Sequence, residues 1–308
     1  MFEVVVRAFG MDLDRAEVTR LRTPWNPDRL LLIKDVHRSI VLKHWELSQL
    51  ETLQREIAAT VILDNSSFNE FVRQIKTKGG DDFYRTATGL WTAYPWIEGE
   101  EGPDSLMQGA IILAEKLARL HSVKAHNLPM TNKLDIIEKL SSNLSSQQLP
   151  DEDIKLIDRA IRLVFSNRKE LESLPKALIH GDFNLDNVVG WPNQVKLIDL
   201  EFVRRDLRVY DLASLVAPRR TNSGSYLISS QEEFDFFIKE YEKRLARQYI
   251  LTRDEYQLLP VATVAYWLIV LTDVRTTHRH WTIEVCRVLR EVINRAGSEN
   301  RAILGIQA

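Results

Sequence analysis

The sequence predicts an α+β chain in two parts: a small antiparallel sheet toward the N-terminus and a mainly helical region after it. Three observations carry this. Short apolar runs bounded by turn residues recur between Ala16 and Ile97. Amphipathic patterns at helical spacing dominate from Ser105 onward. A single hairpin interrupts the helical part, where Val188-Val189 and Val195 to Ile198 flank a turn at Trp191 to Gln194. At 308 residues the chain is long enough for two lobes with a real core.

In chain order, Phe2 to Phe9 is an apolar stretch compatible with a short helix or a strand. Ala16 to Leu21 and Leu30 to Ile33 read as strands around Thr23-Pro24-Trp25-Asn26-Pro27-Asp28. Ser39 to Lys43 is a further strand, and its alternation places Lys43 on the face of Val41. Ser48-Gln49-Leu50-Glu51 has the pattern of a capping box. The helix it opens is expected to bury Leu50, Leu53, Ile57 and Val61, with Glu56 flanking that stripe. Asn65 to Asp82 is polar and reads as a loop. Leu90 to Ile97 is a strand running into Glu98-Gly99-Glu100.

Ser105 to Ser122 is an amphipathic helix with Leu106, Ala110, Leu113, Leu117 and Leu120 on one stripe. His121, at its end, is expected to complement the helix dipole. Asn127 to Pro150 is polar with a short helix at Leu134 to Leu140, and Asp151 to Leu171 is another amphipathic helix. Glu233 to Ala246, Asp254 to Thr272 and Thr282 to Ala296 complete the helical part. Asp273, Arg275, His278, His280 and Trp281 read as a polar loop between two of these helices.

The chemistry concentrates in Leu-Ile-His-Gly-Asp-Phe-Asn-Leu-Asp-Asn-Val-Val, Leu178 to Val189. Apolar pairs bound a polar run for which a packed core has no use. The hairpin brings Asn187, just before its first strand, toward Asp199 at the end of its second. Asp182 lies one tight loop upstream. One carboxylate to orient a hydroxyl, with two oxygen ligands for magnesium, is what phosphoryl transfer requires.

His180-Gly181-Asp182, four residues, then Asn187 resembles the catalytic loop of protein kinases, with Gly replacing an Arg. Together with Ile198-Asp199-Leu200-Glu201 it resembles the aminoglycoside phosphotransferase and choline kinase superfamily. That resemblance implies a two-lobe protein-kinase-like fold. Residues 1–93 would form a nucleotide-binding lobe, 94–99 a hinge, and 100–308 a helical lobe with the catalytic loop and substrate pocket. It implies ATP and Mg2+ as cofactors, with Asp182 as the catalytic base and Asn187 and Asp199 as metal ligands. Lys43 paired with Glu56 would hold the α- and β-phosphates. The hinge, Tyr94 to Ile97, would carry the adenine. Pro95 has no N–H, so Trp96 or Ile97 would donate to it. The resemblance makes Asp211 an N-cap that braces the catalytic loop. Glu201 would either hold a second magnesium through water or face solvent. The chain departs from the kinase pattern in having no glycine where a glycine-rich loop would cover the phosphates.

The implied activity is transfer of the γ-phosphate to a hydroxyl of an amino-alcohol, aminoglycoside, sugar or amino-acid-like substrate. The alternative is a catalytically silent kinase-like nucleotide-binding protein. A net charge of −2 gives no reason to expect a nucleic-acid partner. Cys286 is the only cysteine, which excludes an internal disulfide and a cysteine-rich metal site. Glu3 and Arg7 come too early for a signal peptide. The apolar run Leu258 to Leu271 contains Pro260 and reads as a buried helix rather than a membrane span. A cytoplasmic protein with no membrane partner is the expectation.

Overall fold

The computed structural model describes residues 2–12, 14, 16–21, 29–124, 134–143, 149–215, 219–220, 226–227, 229–246, 250–275, 283 and 285–293. The chain divides into two compact units, Met1–Pro103 with Asp186–Val203, and Asp104–Leu185 with Arg204–Ala308. The sequence-based partition placed all of 100–308 in one lobe. The contacts instead return the hairpin segment 186–203 to the first unit.

The first unit begins with α1 (Phe2–Ala8), which resolves the ambiguity over that stretch in favour of a helix. Its sheet contains β1 (Glu17–Leu21), β2 (Leu30–Lys34), β3 (Ser39–Trp45), β4 (Tyr84–Arg85) and β5 (Leu90–Pro95). All pairs are antiparallel, in the order β1-β2-β3-β5-β4. Period-two alternation along β3 sorts its residues between two small cores. Ile40 and Leu42 pack with Val5, Val6, Phe9, Met11, Ile33 and Ala93. Trp45 packs with Leu53 and Leu90.

A single 3-10 turn, Leu47–Gln49, leads into α2 (Leu50–Asn65). The capping box lies two residues earlier than expected: it is Glu46 and Gln49 that reciprocate, not Ser48 and Glu51. The buried face of α2 is also rotated. Leu53, Glu56, Ala59 and Leu63 are buried, whereas Val61 is exposed. Glu56 therefore sits on the buried stripe rather than beside it. Leu53 and Glu56 are three residues apart, and Glu56 and Leu63 seven, so helical spacing allows either face.

The crossing segment after β5 enters β6 (Glu100–Glu101), and β7 (Lys176–Ile179) belongs to the second unit. β8 (Val188–Trp191) and β9 (Lys196–Leu197) form the expected hairpin, and β6 adds to its edge. Gly99 and Gly190 make the approach possible. A Cβ on Gly99 would lie 2.9 Å from the Gly190 carbonyl carbon, and both glycines have positive φ.

The second unit is mainly helical: α3 (Leu106–His121), α4 (Leu134–Asn143), α5 (Asp151–Ser166) and α6 (Arg168–Ser173) precede β7. The single helix expected over Asp151 to Leu171 is two, broken at Asn167. β10 (Arg204–Leu207) pairs with β7, α7 (Val209–Ser214) follows, and β11 (Arg219–Arg220) pairs with β12 (Tyr226–Leu227). α8 (Gln231–Arg244) and α9 (Arg253–Arg275) come next, and residues 285–293 are helical. Ser105 caps α3 through the Gln108 N–H at 3.2 Å, and the whole expected stripe of α3 is buried.

By length and composition alone α9 would cross a membrane. Its Val264, Ala265, Leu268 and Leu271 are instead packed in the core of this unit, as the sequence reading of a buried helix expected. Cys286 lies in the same core, and burial pushes its thiol up to about 12, in keeping with a packing role. Asp273 and Arg275, read from sequence as loop, belong to the last turn of α9, because that helix runs three residues past Thr272; His278, His280, Trp281 and the segment 23–28 lie outside the described residues.

Candidate active site

In the first unit the geometry is set by β3. Lys43 and Trp45 are two residues apart and so share a face of the strand. The Lys43 ammonium is 2.5 Å from an Asp199 carboxylate oxygen, and 3.6 Å from oxygens of both Glu56 and Glu201. It also lies 4.1 Å from the centre of the Trp45 ring. Burial alone would lower the Lys43 pKa. The carboxylates of Asp199, Glu56 and Glu201 outweigh it and hold the ammonium above its ordinary value. Lys43 is therefore a permanent cation inside the fold.

Glu56 reaches this cluster from α2 and is held by two further residues. The Tyr94 phenol donates to Glu56 Oε1, and Gln74 Nε2 donates to both Glu56 Oε1 at 3.3 Å and the Tyr94 oxygen at 3.0 Å. Burial, then the Glu56 charge, raises the Tyr94 pKa, so the phenol remains a donor. Lys34, the other strand lysine, sits exposed at the end of β2 with its ammonium 5.8 Å from the Trp96 ring.

Asp199 arrives from the hairpin. The Ile198 N–H donates to the Asn187 carbonyl oxygen at 3.0 Å, which ties the ends of β8 and β9 together as the spacing predicted. Asp199 itself adopts φ +62°, ψ +60°, the left-handed region, and starts a 3-10 turn over Leu200–Phe202. That conformation is disfavoured for most side chains and more tolerable for Asp and Asn. Glu201 is on this turn. Its side chain does not face solvent: it is 12% exposed and meets Arg29 at 3.4 Å as well as Lys43. Burial and the neighbouring Asp199 charge push Glu201 up to about 7, against the pull of Lys43 and Arg29.

The second unit holds the Asp182 loop. Asp182 Oδ1 accepts the Tyr266 hydroxyl at 2.9 Å and the Asn184 amide at 2.8 Å. Burial first, then the Asp182 charge, raises the Tyr266 pKa well above its ordinary value, so this phenol also stays a donor. The loop is pinned from α7. Asp211 Oδ2 accepts from the His180 N–H and Oδ1 from the Gly181 N–H, each at 2.7 Å. Gly181, at φ +82°, is the left-handed residue that turns the chain there. Ser214 Oγ donates to the Phe183 carbonyl oxygen at 2.7 Å.

Asp211 thus braces the loop, but not as a helix cap. It is the third residue of α7, behind Arg208 at the N-cap, and is fully buried. His121 joins the same network. It lies 3.1 Å from Asp211 Oδ2 and 2.6 Å from the Tyr241 hydroxyl, in place of the dipole role expected of it.

Of the residues anticipated from sequence, Lys43, Glu56 and Asp199 meet in one cluster, and the Asn187 backbone is bonded beside it. Tyr94 supports Glu56 through its side chain. The Trp96 N–H is taken by the Ser39 carbonyl oxygen at 3.0 Å. Of the two backbone donors expected for the adenine, only Ile97 has no hydrogen bond among the described residues. Sequence reasoning missed Arg29, Trp45, Gln74, Asn184 and Tyr266. Trp45 was accessible from its two-residue offset from Lys43. Tyr266 was accessible as a hydroxyl within an apolar helix, which needs a partner.

Carboxylate oxygens of Glu56, Asp199 and Glu201 lie within 4.8 Å of one another. These three carboxylates are an all-oxygen donor set of the hard type that magnesium takes. Glu56 Oε2 is buried and accepts no hydrogen bond among the described residues; the Lys43 ammonium lies 3.6 Å from it. The residues present fit a magnesium ion.

The profile of the phosphotransferase enzyme family matches residues 17–263. No curated protein matches the chain by sequence. Solved structures resemble it in fold. A microcompartment-associated aminopropanol kinase superposes with a TM-score of 0.73 at 16% identity, covering 97% of each chain. The choline kinase of Streptococcus pneumoniae gives 0.69 at 15% identity, over 96% of this chain and 98% of its own. A spectinomycin phosphotransferase, solved with ADP and spectinomycin, gives 0.64 at 14% identity, over 94% and 92%.

Proposed function

The chain belongs to the phosphotransferase enzyme family, and from that premise we propose that it is an ATP- and magnesium-dependent kinase of a small molecule, transferring the γ-phosphate to a hydroxyl. The observation that supports this most is Lys43, held at once by Glu56, Asp199 and Glu201. A buried lysine facing three carboxylates gathers a fixed cation and an excess of oxygen donors in one place. It suits the binding of a polyphosphate with its cation.

In this reading Lys43 neutralises the α- and β-phosphates, and Glu56, steadied by Tyr94 and Gln74, fixes the position of its ammonium. Asn187 and Asp199 hold the magnesium, which offsets the charge of the transferred group. Ile97 offers its N–H to the adenine. Asp182, oriented by Tyr266 and Asn184, accepts a hydrogen bond from the acceptor hydroxyl and takes its proton late. A loose transition state requires positioning more than a strong base.

Amino alcohols and aminoglycosides are the first acceptor classes to test, followed by sugars and amino acids. Aminopropanol, choline and spectinomycin appear in the names of kinases with this fold. The test is ATP turnover against a panel of all four classes. Consumption of ATP with one acceptor supports the reading. Binding of magnesium–ATP without phosphorylation of any acceptor would favour a silent nucleotide-binding protein.

The lysine assignment has its own check. Lys43→Ala is expected to weaken ATP binding by about 10- to 100-fold, the scale of one charge-assisted contact. Lys34→Ala is expected to leave it unchanged, because Lys34 lies exposed at a strand end. Calorimetric titration of both variants separates them, and the reverse order would sink the assignment.

A further inference from the structure

Arg29 immediately precedes β2 and is held at three points. Its Nε donates to the His44 carbonyl oxygen at 2.9 Å, and its guanidinium carbon lies 4.2 Å from the centre of the Trp45 ring. Its Nη2 is 3.4 Å from Glu201. Trp45 is fully buried, and its indole N–H donates to Thr92 at 3.0 Å, so the platform itself is fixed. The Lys43 ammonium lies over the same ring at 4.1 Å. Two cations are therefore gathered on one aromatic ring, with Glu201 bridging them at 3.4 and 3.6 Å.

The carboxylates of Glu56, Asp199 and Glu201 balance the Lys43 ammonium, whereas Arg29 meets only one of them, Glu201, through a single nitrogen. Among the described residues the Arg29 Nη1 has no acceptor. The sequence before Arg29 adds a second reason. From Ala16 to Ile33 there is no glycine, and Pro24 and Pro27 lack an N–H. A backbone cradle of N–H groups around phosphate, of the kind a glycine-rich loop supplies, is correspondingly poor here. A side-chain cation next to that segment would supply the missing donors. Arg does so with a planar fork suited to phosphate, already oriented before the ligand arrives.

We propose that Arg29 is a second phosphate-binding cation of the nucleotide site, acting on the β- or γ-phosphate in place of a glycine-rich loop, with Trp45 as the platform that aligns it with Lys43. This rests on the kinase reading given above. The orientation comes from His44, Trp45 and Glu201, so the guanidinium loses little freedom on binding.

Calorimetric titration of the full chain with magnesium and ATP, ADP or AMP tests it. Arg29→Gln is expected to weaken ATP by about 10- to 100-fold while leaving AMP unchanged, since AMP lacks both phosphates concerned; an equal loss for ADP assigns the contact to the β-phosphate and a loss for ATP alone to the γ-phosphate. Arg29→Lys keeps the charge and loses the fork, and is expected to give a smaller loss with the same order among the three nucleotides. It decides the matter if Arg29→Gln fails to fold, which a thermal melt would reveal. Equal losses for all three nucleotides would overturn the proposal, because a structural prop affects the whole site. No loss for any would overturn it too. If the unmodified chain binds no ATP, the kinase reading falls and takes this proposal with it. ATP binding that is indifferent to Arg29 removes this proposal alone.

Discussion

Asp182→Asn is expected to lower turnover by about two to four orders of magnitude, the scale of a positioned acid–base group, while the fold and ATP affinity are retained. The side chain keeps its size, and the amide oxygen can still accept from Tyr266 and Asn184, which donate to Oδ1 at 2.9 and 2.8 Å. The loop keeps its other anchors, since Asp211 and Ser214 hold the backbone of His180, Gly181 and Phe183. What is lost is the negative charge that, on the proposed function, draws the acceptor hydroxyl and later takes its proton. The nearby Asp186 is exposed and is not expected to substitute. Steady-state kinetics with the acceptor from the panel, alongside nucleotide titration, measures both quantities. Near-normal turnover in the variant would remove Asp182 from the chemistry.

Asp199→Asn should abolish the magnesium dependence of nucleotide binding. Changes to residues that merely support a metal ligand cost about 10- to 100-fold in metal affinity, so loss of a ligand carboxylate is expected to exceed that. Asn also tolerates the left-handed conformation at φ +62°, so the turn can form. Lys43 keeps Glu56 and Glu201, both at 3.6 Å, so the variant does not strand a buried cation. Titrations with and without magnesium should give the same affinity in the variant and different affinities in the unmodified chain. A persisting difference would move the metal role to another residue.

The two predictions draw on features of unequal visibility in the sequence. The strands, the hairpin and the stripe of α3 follow from periodicity and turn residues, which act within a few positions of each other. Asp182, Asn187 and Asp199 stood out as candidates because their spacing along one short segment matches what a reaction with few parts asks for. Glu56 was visible only in part. Its helix was predicted, yet the buried face was rotated, because apolar residues on α2 allow two stripes and only the packing of Leu53 against Trp45 and Leu90 selects one.

Other features had no local signal. Asp211 was expected to brace the loop as a cap and does so from inside α7, through contacts to residues some thirty positions upstream. Trp96 looked available for a ligand, but its N–H is taken by Ser39 on the adjacent strand β3. Arg29 and Tyr266 are ordinary in sequence and acquire meaning only beside Glu201 and Asp182.

The sequence by itself determined which elements form and the order of chemical groups from His180 to Glu201, since both depend on neighbours along the chain. Only the tertiary structure decided which side chains steady them: Tyr94 and Gln74 on Glu56, Tyr266 on Asp182, and Arg29 with Lys43 on Trp45. Hydrogen bonds and close charge pairs reach only about 3–4 Å. Whether two distant residues come that close depends on strand register and helix rotation, which packing sets and local spacing does not.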